Sequence, residues 1–103
     1  MKSYAKYPTA ISNNAKKGIA LNKMVQNCCA TPVGKARARQ LANKKPLSLK
    51  TISRMYSYLS RAETYYNPKN KLACGTINCL LWGGLAAKRW TYKILKQNKL
   101  IKF

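Results

Sequence analysis

Apolar residues recur along this chain at helical spacing, and strand-like alternation is absent. The clearest stretch is SLKTISRMYSYLSRA, where Ile52, Met55, Leu59 and Ala62 follow at intervals of three, four and three. Those intervals place all four on one face of a helix, as a core-facing stripe requires. Ser48 precedes it with a hydroxyl suited to capping the first free amides, and the loop TYYNPKNK (64–71), marked by Asn67-Pro68, follows it. Upstream, Ile11, Ala15 and Ile19, continued by Met24, Val25 and Cys28, predict a first helix capped by Ser12, with Lys16, Lys17 and Lys23 facing out. Thr31-Pro32 is a capping hydroxyl followed by proline at the first helical position, so a second helix is expected from Pro32 to Asn43. Lys44-Lys45-Pro46 breaks it. Thr76 predicts a short fourth helix across Ile77, Leu80 and Leu81, ended by Gly83-Gly84. A fifth is expected from Leu85 to Gln97, with Ala86 or Ala87, Trp90 and Ile94 inward.

The expected fold is therefore all-α: a compact bundle of four or five short helices at 12–97, with an extended N-terminal arm (1–11) and a basic C-terminal tail (98–103). A chain of 103 residues fits one domain, and 47% hydrophobic residues suffice for a core.

Charge changes this ordinary picture. Twenty-one lysines and arginines stand against one acidic residue, Glu63, and there is no histidine, for a formal charge of +20. Self-repulsion on this scale calls for a counter-charged partner: nucleic acid, an anionic membrane or an acidic protein lattice. The same composition removes paired-carboxylate hydrolysis, Ser–His–Asp and Cys–His catalysis and carboxylate metal centres, because their residues are lacking. The chain reads as a binding protein and not an enzyme, with no cofactor and no small-molecule substrate. The N-terminal residues show no secretory pattern, which predicts synthesis in the cytoplasm. The apolar run Leu72 to Ala87 is interrupted by glycines and is too short for a bilayer span, so no membrane is expected as partner. The cysteines, Cys28, Cys29, Cys74 and Cys79, lack the pair spacing of structural zinc sites. In a reducing compartment they are expected to be small buried hydrophobes, with zinc ligation and disulfide bonding as the alternatives.

The segments NNAKKGIAL, VGKARARQLAN with PLS, TISRMYSYLSR and INCLLWGGLAAKRW occur in that order between Asn13 and Trp90. In this they resemble a small helical module found in tailed-bacteriophage genomes, alone or appended to head-region proteins. The resemblance covers about three quarters of the chain and implies a helical fold and a virion or head-assembly setting. Two departures stand out. Cys28-Cys29-Ala30 replaces a glycine-rich turn, and Leu85 replaces an acidic residue after LLWGG, which implies that Leu85 is packed.

Two constellations are candidates for binding. Lys35, Arg37, Arg39, Lys44 and Lys45 on and after the second helix present two basic faces, since positions four and seven apart align. They read as a phosphate or carboxylate clamp or as a solvated face, and the resemblance adds a third option, in which the ARAR arginines, Arg37 and Arg39, bond helix-terminal carbonyls within the fold. Arg54, Tyr58, Arg61 and Tyr65 form a stripe opposite the core face of the third helix, and arginine and tyrosine are enriched in interfaces. Lys88 and Arg89, with Lys93 and Lys96, add a further basic face, while Trp82 and Trp90 are expected in the core. The expected role is that of an auxiliary or cement protein of a phage virion, bound to the acidic surface of the major capsid protein and stabilising the head. The alternative is a packaged protein that binds DNA through phosphates without sequence preference.

Overall fold

The computed structural model describes residues 3–25, 29–67 and 69–98. Its elements run β1 (Ser3–Tyr4), α1 (Thr9–Met24), α2 (Pro32–Ala42), β2 (Leu47–Ser48), α3 (Leu49–Ala62), a 3-10 turn (Glu63–Tyr65), α4 (Cys74–Leu81) and α5 (Gly84–Gln97). The all-α bundle is as the apolar spacing predicts, with five α-helices among the described residues. The two strands are a single short antiparallel pairing, Ser3 opposite Ser48 and Tyr4 opposite Leu47.

Two predicted caps start their helices. Thr31 accepts from the Gly34 amide at 3.1 Å and Ser48 from the Thr51 amide at 3.2 Å, each satisfying an N–H that the helix leaves unpaired. The other two do not. Helix α1 begins after Pro8, three residues ahead of Ser12, whose hydroxyl is buried and has no hydrogen-bond partner among the described residues. Helix α4 begins at Cys74, which puts Thr76 inside its first turn. Its buried hydroxyl instead accepts from the Asn67 amide at 3.0 Å and donates to the Asn67 carbonyl at 2.9 Å, tying the 64–71 loop to the helix.

The core forms where these stripes meet. Ile52, Met55 and Leu59 of α3 are fully buried, and α3 packs most extensively on α5. The face that α5 turns inward is Ala87, Thr91, Ile94 and Leu95, a stripe of four, three and one residues that displaces Trp90 to the edge. Thr91 is tolerated there because its hydroxyl donates to the Lys88 carbonyl at 3.0 Å. Helix α1 buries small or polar positions, Ser12, Ala15, Gly18 and Asn22, beside Ile11. That choice brings it close to α4: a Cβ on Gly18 would sit 2.7 Å from the Leu81 backbone nitrogen. The large Met24, expected inward, is turned out and is 68% exposed.

Gly83 and Gly84 make the sharp corner between α4 and α5, with φ of 100° and 70°. Other residues rarely adopt such a backbone. Asn14 of α1 donates to the Gly83 carbonyl at 2.9 Å and holds the corner from outside.

The segment read as an arm is integrated into the fold. Tyr7 is 2% exposed, and its hydroxyl lies 3.0 Å from the Lys45 carbonyl and 3.3 Å from that of Gln40. These carbonyls lie at the end of α2, which closes with a Schellman pattern: Lys45 N–H to Gln40 at 2.9 Å and Lys44 N–H to Leu41 at 3.2 Å. Lys44 takes the left-handed position, φ 55°, that glycine usually fills. Its ammonium donates to the Tyr7 carbonyl and lies 5.1 Å from the Tyr7 ring centroid. The basic tail expected at 98–103 lies outside the described residues beyond Asn98.

The cysteine expectation needs correction. Cys29 and Cys74 are joined in a disulfide, with Cα atoms 5.0 Å apart across 45 residues of sequence. The link between α1 and α2 folds back onto the start of α4, a proximity that spacing along the chain does not reveal. Asn78 reinforces it by donating to the Cys29 carbonyl at 3.1 Å. Cys79 is free and buried, and burial first, then Glu63, pushes its thiol up to about 11. Cys28 lies outside the described residues.

Candidate docking face

The predicted stripe and the predicted clamp converge on one side chain that neither included. Trp82, at the end of α4, lies between them. The Tyr58 ring of α3 stacks on it with centroids 4.5 Å apart and planes 21° from parallel. The Arg37 guanidinium of α2 lies over it, 5.5 Å from the ring centroid. Gly34 lies at the edge of the ring, where a Cβ would be in van der Waals contact at 3.4 Å from the indole nitrogen. Trp82 is buried as expected, but its role is to hold an arginine and a tyrosine in fixed places.

Arg37 is half-buried. One guanidinium nitrogen bonds the Gln40 side chain, while Nε is buried without a hydrogen-bond partner among the described residues. The alternative in which it bonds a helix-terminal carbonyl is not realised among the described residues, where Gln40 is its partner. Burial, followed by the nearby charge of Arg54, depresses it below the ordinary arginine value. Burial raises Tyr58, Cys79 adds to this, and Arg61 opposes it.

Beyond Tyr58 an open groove of about 510 Å³ is lined by Arg61, Thr64, Tyr65, Gly75 and Asn78 among others. Its wall begins next to the Cys29–Cys74 disulfide. Tyr65 extends the α3 stripe into the 3-10 turn and is 71% exposed. Gly75 passes so close beneath it that a Cβ would lie 2.8 Å from the Tyr65 carbonyl and Cβ. Arg54, Arg61 and Tyr65 are thus exposed as predicted, whereas Tyr58 is half-buried by its stacking.

The remaining predicted residues divide. Lys35 and Arg39 do share a face of α2 and line a separate groove of about 280 Å³ with Ile19, Asn22, Lys23 and Leu81. Lys44 is withdrawn from any clamp, because it anchors Tyr7. Lys88 is paired with Glu63, the one acidic side chain of the protein. Arg89 is exposed beside Lys88, Tyr56 and Tyr92 at another groove, where Leu85 is also packed. Sequence reasoning missed Trp82 and Gln40 as partners of Arg37. No local signal relates positions 37, 58 and 82.

Among the described residues no group of three or more histidine, cysteine, aspartate or glutamate side chains is arranged to hold a metal. Nor is any described helix long and apolar enough to cross a membrane. Comparison with protein families, with curated proteins and with solved structures finds no match to this chain.

Proposed function

We propose that this protein is an auxiliary structural protein of a bacteriophage virion, held on the acidic surface of the major capsid protein and stabilising the head. The supporting observation is the charge balance: Glu63 is the sole carboxylate side chain, and Lys88 already takes it, so the cationic surface must be neutralised by another molecule. An acidic lattice offers that neutralisation over an extended face, and the Arg37–Trp82–Tyr58 array supplies rigid contact groups within it. The resemblance of ARARQL, RMYSYLSR and LLWGG to the phage head-region module gives the setting. Binding alone, with no reaction, is the role this reading assigns.

A second reading, sequence-independent DNA binding inside the virion, draws on a different observation. Tyr4 and Tyr7 pack on Trp90, Tyr56 on Tyr92 and Tyr58 on Trp82, so these rings are engaged within the fold and offer less to a protein lattice. Charge then carries more of the affinity, as phosphate binding requires.

The deciding experiment is cosedimentation of the purified protein with DNA-free capsids and, separately, with naked DNA at graded salt. The capsid reading expects saturable binding to empty capsids at physiological salt. Binding to DNA alone, with log K falling by about 0.9 per phosphate against log salt, establishes the second reading in its place.

A further inference from the structure

We propose that Arg37, Arg54 and Arg61, arranged around the Tyr58–Trp82 stack, form a carboxylate-binding site that receives an acidic protein segment running into the Tyr65 groove. This rests on the acidic-surface reading and names where, and through which groups, the contact is made.

The first support is segregation. The chain has only five arginines among its 21 basic residues, and three of them flank this one aromatic stack. Lysine contributes Lys50, one turn ahead of Arg54, whereas Lys35 lines the separate groove on α2, Lys44 anchors Tyr7 and Lys88 pairs with Glu63. Lysine serves well where a charge must follow phosphates; arginine serves where a planar, two-pronged donor must meet a planar acceptor.

Preorganisation is the second support. Arg37 is fixed on both sides, by Trp82 under its plane and by Gln40 at one nitrogen, so ordering it on binding costs little further entropy. It is nevertheless incompletely satisfied, with Nε lacking a partner and Arg54 adding like charge nearby. The fold has no spare carboxylate to relieve this. A carboxylate brought from outside bridges the two guanidinium groups and removes the repulsion between them.

Third, the surroundings suit a protein and not a nucleic-acid backbone. Val33, one turn before Arg37 on α2, is 57% exposed, and Tyr65 projects at the groove mouth. Arginine, tyrosine, tryptophan and exposed aliphatic groups together have the composition of a protein interface core.

The arginine variants of the test keep net charge constant, and a neutralised lysine pair on another face reports the effect of charge alone. A fluorescein-labelled peptide of alternating glutamate and glycine and a single-stranded oligonucleotide of equal charge are titrated with the intact protein. The variants are R37K/R54K/R61K, the exposed pair R54K/R61K, and K16Q/K17Q on the outer face of α1. The triple variant is expected to bind the peptide about tenfold more weakly and the oligonucleotide within about twofold of wild type. The exposed pair, which leaves the Trp82 packing intact, is expected to lose about threefold for the peptide and so carries the test if the triple variant is unstable. K16Q/K17Q is expected to weaken both probes equally. Unchanged peptide binding by the arginine variants overturns the site, as does equal loss for peptide and oligonucleotide. Failure of the wild-type protein to bind the peptide while it binds the oligonucleotide overturns the acidic-surface reading itself.

Discussion

Two triads of the same make-up, each a cation, then two aromatic rings, have opposite fates in this molecule. In one, Lys44 lies over Tyr7, and Tyr7 meets Trp90 edge-on with centroids 5.5 Å apart. The cation and the tyrosine both find internal partners: the ammonium bonds a carbonyl, and the tyrosine hydroxyl reaches the carbonyls that end α2. In the other, Arg37 lies over Trp82, which stacks on Tyr58, yet Nε is unsatisfied and a second arginine is close. The first triad closes the fold. The second is left with charge to offer, which teaches that a cation on an aromatic ring is not itself a sign of binding; the remaining hydrogen-bond capacity decides.

Breaking the closed triad has the largest expected effect. Tyr7→Ala removes a buried aromatic, leaves two carbonyls without their hydroxyl donor and takes the ring from beneath the Lys44 ammonium, so it is expected to cost about 3–5 kcal/mol in urea denaturation. Tyr58→Ala, at a half-buried position, is expected to cost about 1–2 kcal/mol. Equal losses would remove the distinction between the triads.

Next is the disulfide beside the open triad. Reduction, or Cys74→Ser, is expected to cost about 2–4 kcal/mol, because closure of a 45-residue loop restricts the unfolded chain. The comparison of oxidised and reduced midpoints checks it, and an unchanged midpoint would show that the bridge adds nothing to stability.

Alkaline pH probes the packing beneath the open triad. Cys79 is raised to about 11, so between about pH 9 and 11 the unfolded chain loses this proton first and the folded state keeps it. Stability therefore falls as pH rises through that window, by about 2–3 kcal/mol if Cys79 acts alone. Tyr7 and Tyr58, both raised by burial, extend the fall above pH 10. Denaturation midpoints of Cys79→Ala across pH 8–11 are expected to lose the first part of the slope and keep the second.

The smallest effect is the sharpest on sign. Lys44→Met is expected to destabilise by about 1 kcal/mol, since it removes a satisfied charge at a left-handed position. Arg37→Met is expected to leave stability unchanged or to raise it by up to about 1 kcal/mol, because it keeps the contact with Trp82 and removes an under-satisfied, repelled charge. Thermal melts of the two variants give the comparison directly, and destabilisation by Arg37→Met would mean that its charge is satisfied within the fold.

Much of the architecture was legible in the amino-acid order. Thr31, Ser48 and the Ile52–Met55–Leu59–Ala62 stripe located α2 and α3, because a capping hydroxyl and a 3.6-residue period are local properties. Gly83-Gly84 marked the corner before α5 for the same reason. The charge imbalance and the absence of histidine also needed no structure. What local order did not carry was rotation and proximity. Ser12 looked like a cap because the helix start follows from Tyr7 being drawn against the end of α2, which no local pattern reveals. Trp90 looked like core because the choice between it and Thr91 depends on where α3 lies. Lys44 looked available until Tyr7 came to rest beneath it. Cys29 and Cys74, read separately as buried thiols, meet across 45 residues of sequence where the chain before α2 reaches the start of α4. Arg37, Tyr58 and Trp82 come from three helices, and tertiary packing alone brings their rings and charge within contact distance.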